Sequence, residues 1–123
     1  MYDWTSKIIL IVEDNSLNYE FLQLCIKKTS AKCIHANNGK EAIDICQNNA
    51  EVSLVLMDIQ MPLIDGYEAT RIIKMLRPDL PIIAQTAYAL DGDKEKSLAA
   101  GCNDYITKPI LKRQLMETLN KYL

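Results

Sequence analysis

Residues Leu54–Pro62 read LVLMDIQMP, four apolar residues followed by a carboxylate at Asp58. A run so short and so uniformly apolar fits a strand covered on both faces, the kind found in parallel sheets. Lys7–Val12 (KIILIV) and Pro81–Ala84 (PIIA) repeat that character, and shorter runs at Lys32–Ala36 (KCIHA) and Asp104–Thr107 (DYIT) complete a set of five expected strands. Between them, apolar residues fall at helical spacing: Leu17, Phe21, Leu24 and Cys25, then Ala42, Ile43 and Cys46, then Ala69, Ile72, Ile73 and Leu76. A fourth helix is expected over Lys94–Ala100 with Gly101 as its cap, and a fifth from about Leu111 to Tyr122.

Strand and helix therefore alternate five times, which predicts an α/β fold. Right-handed crossovers leave few arrangements other than a (βα)5 doubly wound parallel sheet with helices on both faces. At 123 residues and 49% hydrophobic composition, the chain fits a single domain over residues 1–123 with one real core. The net charge is -2 and the lysines and arginines are scattered, which argues against direct nucleic-acid binding. No stretch approaches the ~20 apolar residues of a membrane span, and the first residues lack a secretory pattern, so a cytoplasmic chain without membrane insertion is expected. Cys25, Cys33, Cys46 and Cys102 form no CxxC pair and His35 is the lone histidine, so zinc and redox chemistry lack their ligands. Buried free thiols are expected instead.

In open α/β sheets, ligands bind beyond the carboxyl ends of the strands, where the strand order reverses. The residues expected there are Glu13 and Asp14, Asp58, Gln85 and Thr86, and Lys108 with Pro109. Two unit charges ~4 Å apart repel by about 4 kcal/mol at an effective dielectric of 20, so three gathered carboxylates call for a cation. Oxygen ligands without His or Cys favour a hard ion, and few ligands with open positions suit Mg²⁺ better than Ca²⁺. Lys108 supplies a second positive charge. An aspartate flanked by a metal site, a hydroxyl and an ammonium is arranged as a nucleophile for phosphoryl transfer onto its own carboxylate.

Other motifs carry less. Asp65–Gly66 is expected to open the third helix as a turn. Gly39–Lys40 fails as a phosphate loop, because Ile34 and Glu41 occupy the places of its first glycine and its Ser or Thr. Asp91, Asp93 and Glu95 mimic the start of an EF-hand, but Lys96 stands where that loop requires glycine. Tyr2 and Trp4 are expected to form a terminal flap.

With these residues in view, the chain resembles the receiver domains of response regulators in two-component signalling. The resemblance rests on IVEDN (Ile11–Asn15), LVLMDIQMPLIDGYEA (Leu54–Ala69), QTA (Gln85–Ala87) and AAGCNDYITKPI (Ala99–Ile110), in order and over essentially the whole chain. With EDNSLN, TAYAL and GDKEKSLAAGCNDYITKPI added, it is most similar to receivers attached to hybrid sensor histidine kinases. The resemblance implies the flavodoxin-like strand order 2-1-3-4-5. It implies that Asp58 accepts a phosphoryl group from a histidine kinase or histidine phosphotransfer domain. It also implies that Glu13, Asp14, Asp58 and the backbone carbonyl of Gln60 hold Mg²⁺, that Lys108 contacts the phosphoryl group, and that the Lys108–Pro109 peptide is often cis. Thr86 and Tyr105 stand at the family's switch positions, with the fourth helix, fifth strand and fifth helix as the readout surface. Gln60 and Tyr88 occupy positions that tune phosphoryl lifetime, and a bulky Tyr88 is expected to shield the acyl phosphate from water.

Two other functions compete. A Mg²⁺-dependent aspartyl-phosphate phosphatase usually needs a second Asp two residues after the nucleophile, where this chain has Gln60. A flavodoxin-like cofactor binder would want a Ser/Thr/Gly-rich phosphate cradle after the first strand, where this chain has EDNSLN.

Overall fold

The computed structural model describes residues 2–61, 64–87 and 92–123. Its elements run β1 Ile8–Val12, α1 Ser16–Lys27, β2 Lys32–Ala36, α2 Gly39–Asn48, β3 Leu54–Asp58, α3 Gly66–Leu76, β4 Ile82–Thr86, α4 Asp93–Ala100, β5 Asp104–Thr107 and α5 Lys112–Asn120. Neighbouring strands all pair in parallel, in the order β2-β1-β3-β4-β5, which is the flavodoxin-like doubly wound form. β1 lies between β2 and β3, so the order reverses there. The crevice this creates opens above the carboxyl ends of β1 and β3.

Strand alternation divides the core between the two faces. Ile9, Ile11, Leu54, Leu56, Ile83 and Ile106 meet Leu22 and Ile26 of α1 and Leu115 and Leu119 of α5. Leu10, Val12, Val55, Met57, Ile82 and Ala84 meet Ala42 and Cys46 of α2 and Ala69 and Ile73 of α3. Every residue of β3 and β4 is buried, and each large aliphatic side chain so placed contributes roughly 1.5–3 kcal/mol of hydrophobic stabilisation.

β3 and β4 reach further than their apolar runs, through Asp58 and through Gln85 and Thr86. The ladder is made by backbone groups and does not stop at a polar side chain: the Ile59 N–H still donates to the Gln85 carbonyl at 3.1 Å. Trp4 is not part of a loose flap. It is buried, stacks on Tyr2 with ring centroids 5.3 Å apart, and its N–H donates to the Thr29 carbonyl at 2.7 Å.

Helix starts follow their caps. Asn15, Asn38 and Asp65 accept from the N–H groups of Asn18, Glu41 and Glu68 at 3.0, 2.9 and 2.9 Å. Gly101 ends α4 with φ 112, a left-handed conformation that favours glycine. The Lys108–Pro109 peptide is cis. All four cysteines are free; three are buried and Cys33 is half-buried. Among the described residues, no helix is long and apolar enough to cross a membrane.

Candidate active site

The period of two that builds the core also builds the site. Continuing the face that carries Ile9 and Ile11, Leu54 and Leu56, Ile83, and Ile106, the next residues are Glu13, Asp58, Gln85 and Lys108. They form a polar row at the top of the sheet, on the side covered by α1 and α5. Asp14, one residue on from Glu13, is exposed at the rim. Glu13 and Asp58 are each only 1% exposed, yet Glu13, Asp14 and Asp58 each place a carboxylate oxygen within 4.8 Å of the others. The sheet thus brings Asp58 beside the consecutive acids Glu13 and Asp14, from which it is far removed in the sequence.

Among the described residues, Lys108 answers them. Lys108 Nζ donates to Asp58 Oδ1 at 3.1 Å, reaching from beyond β5 across β4 to β3. The same Asp58 oxygen accepts from the Gln60 N–H at 3.1 Å. Glu13 Oε2 accepts from the Asn15 N–H at 3.3 Å, but Glu13 Oε1 is buried with no partner. Burial, then a hydrogen bond with Asp58, then repulsion from the Asp58 charge push the Glu13 carboxyl up to about 7, against a smaller lowering by Lys108. A proton held between the two acids relieves the same tension that a divalent cation relieves. An orphaned buried oxygen, an all-oxygen donor set and uncompensated negative charge together fit a hard cation such as Mg²⁺.

The other expected site residues take these positions. Thr86 is fully buried at the end of β4, and its carbonyl accepts from the Lys108 N–H at 2.8 Å. Gln60 lies in the loop after β3, where its side-chain oxygen accepts from the Ala87 N–H at 3.4 Å, linking this loop to the one after β4. Tyr105 is half-buried on β5, packs against the α2/α3-side core, and has Lys94 Nζ 5.5 Å from its ring centroid. Tyr88 and Asp91 lie outside the described residues, as does the Asp93 side chain.

Gly66 does more than form a turn. A Cβ there would meet the Asp58 carbonyl oxygen at 2.6 Å and Ile59 Cα at 2.8 Å, so glycine lets the start of α3 close against the end of β3. His35 was legible only as a lone histidine without metal partners. In the fold its Nε2 lies 2.7 Å from the Glu13 carbonyl oxygen, and its ring stacks on Tyr19 with centroids 3.9 Å apart, bracing the turn that carries the acids. Both contacts cross between elements, and no spacing rule reports them.

The family model described as the response regulator receiver domain matches residues 9–120. The chain belongs to that family. This receiver domain is 40% identical to the polar-differentiation response regulator DivK of Brucella anthropi, over 95% of its own length and 96% of the relative's. It is 39% identical to a segment of hybrid signal transduction histidine kinase I of Dictyostelium discoideum, over 91% of its own length but only 7% of the kinase. Among solved structures, it superposes with TM-score 0.88 and 34% identity on the receiver domain of a sensor histidine kinase from Pseudomonas aeruginosa, covering 95% of this chain and 97% of that one. That structure has a magnesium ion coordinated in the active site cleft. A second match is a Saccharomyces cerevisiae receiver domain, co-crystallised with the histidine phosphotransfer protein upstream of it. There the TM-score is 0.89 and the identity 32%, covering 96% of this chain and 89% of that one. The expected likeness to kinase-attached receivers is borne out, and the chain is a receiver domain of two-component signalling.

Proposed function

We propose that this receiver accepts a phosphoryl group from a phosphohistidine onto Asp58 in a Mg²⁺-dependent reaction. The observation that carries this reading is the acidic trio within 4.8 Å, with Lys108 fixed 3.1 Å from Asp58. An Asp58 oxygen attacks phosphorus, a P–O bond forms, the P–N bond breaks, and the imidazole nitrogen keeps the electron pair. Glu13, Asp14, Asp58 and the Gln60 carbonyl would hold the ion, whose chemistry is to neutralise charge on the phosphoryl oxygens. Lys108 balances the charge that accumulates on the transferring group, and the Gln60 N–H keeps the Asp58 carboxylate oriented for attack. The magnesium ion in the Pseudomonas aeruginosa relative supports the choice of metal.

The switch follows from the charge. A phosphoryl group on Asp58 adds acceptor oxygens near Thr86, whose hydroxyl turns toward them, and Tyr105 follows into the space released. The surface formed by α4, β5 and α5 then changes population. A histidine kinase or phosphotransfer domain would supply the phosphoryl group, as the Saccharomyces cerevisiae complex supports. Its docking face would be α1, where Leu17, Phe21 and Leu24 stand 74, 43 and 61% exposed along one side. The domain spans residues 1–123 and works in the cytoplasm. It assists its own phosphorylation and dephosphorylation and is no turnover enzyme, since Gln60 offers no acid where a phosphatase would use one.

Incubation with beryllofluoride and Mg²⁺ tests the reading. Amide spectral shifts centred on Asp58 and extending to Tyr105 are expected in the wild type and absent from Asp58→Asn. Equal shifts in the variant would overturn the assignment.

A further inference from the structure

Gln85 is the member of the polar row that the phosphoryl chemistry does not use. Its register partners are Asp58 on β3 and Ile106 on β5, and it is fully buried where the same face of β4 carries Ile83 below it. Packing alone would favour leucine or methionine there. Both Nε2 and Oε1 of Gln85 lack hydrogen-bond partners, a costly arrangement that native interiors rarely tolerate without a use. Glu13 Oε1 is in the same condition, and both side chains line one pocket of about 260 Å³. Lys108 lines it too, with Phe21, Pro109 and Ile110 as apolar walls. The polar groups are complementary: Glu13 accepts, the glutamine amide donates at one end and accepts at the other, and Lys108 has N–H groups beyond the one given to Asp58. The pocket is several times the roughly 30 Å³ share of a water molecule.

We propose that Gln85 is a positioning residue for the divalent-cation site. In the loaded protein, its NH₂ donates to a pocket water that donates in turn to the Glu13 carboxylate, while its carbonyl accepts from Lys108 Nζ. Gln85 thereby fixes the direction of a metal-holding acid and of the ammonium beside Asp58. The inference rests on the Mg²⁺ reading above. Support of this kind behind a metal ligand typically changes affinity by 10–100-fold when removed.

The test is Mg²⁺ titration of the full chain, followed by backbone amide shifts, alongside urea denaturation of the metal-free protein. Gln85→Met keeps the volume and removes the polar atoms. It is expected to weaken Mg²⁺ binding about tenfold without loss of metal-free stability, while Gln85→Asn, which retains the amide, stays within about threefold of wild type. Should the methionine variant fail to fold, Gln85→Leu carries the same comparison. Unchanged Mg²⁺ affinity in the apolar variant would overturn the proposal, as would equal losses in the apolar and asparagine variants, the mark of a packing role. A wild type that binds no Mg²⁺ would instead remove the metal reading beneath it.

Discussion

Glu13 concentrates the electrostatic tension of the molecule. Its carboxyl, ordinarily near 4.5, is raised to about 7 by burial and by Asp58, so folding favours the protonated acid. That contribution to stability is fully present below pH 4.5 and is lost as pH rises through about 7. Metal-free protein should therefore denature at lower urea as pH is raised across this window, and Glu13→Gln should flatten the profile. Saturating Mg²⁺ should do the same, because the ion takes the place of the proton; denaturation series with and without the ion check both. Lys108 meets a different demand. Its charge-assisted hydrogen bond to Asp58 falls in a class contributing about 1.5–3 kcal/mol, or roughly 10–100-fold. Lys108→Ala should slow phosphorylation by that order in a timed acetyl phosphate assay, while Mg²⁺ affinity holds or rises as a competing cation leaves. Loss of metal binding alone would contradict the role given to Lys108.

Elements place these residues, and glycine decides how closely two of them approach. A methyl group on Gly66 would press on backbone atoms of Asp58 and Ile59, which cannot swing aside as a flexible side chain would. Gly66→Ala should cost about 1–3 kcal/mol in urea denaturation and weaken Mg²⁺ binding by displacing Asp58. Much of this architecture is legible in the sequence. The run at Leu54–Met57 and its repeats announce buried parallel strands, and the residues at their ends announce a site. The strand ends were the harder part, since Asp58, Gln85 and Thr86 look like terminators while their backbone groups continue the ladder. The roles of His35, Trp4 and Gly66 were hidden for a related reason. Each depends on which atom of another element stands opposite, and that is a property of crossing chains rather than of residue order.

Across the whole molecule, one sheet face does two jobs. Its lower rows seal α1 and α5 onto the core, and its top row holds the charged groups, so the chemistry stands directly on the buried core. Within the exposed side of α1, Leu17, Phe21 and Leu24 are spaced to present one apolar stripe beside the site. If that stripe receives the phosphohistidine donor, Leu24→Glu should slow phosphotransfer from a donor protein at least tenfold, a loss of about 1.4 kcal/mol in the encounter, yet leave phosphorylation by acetyl phosphate unchanged. The central claim needs no partner to be tested. Intact-mass measurement after incubation with acetyl phosphate and Mg²⁺ should show one added phosphoryl group in the wild type, none in Asp58→Asn, and none when the ion is chelated. Phosphoryl transfer that persists in Asp58→Asn or without the metal would contradict the account.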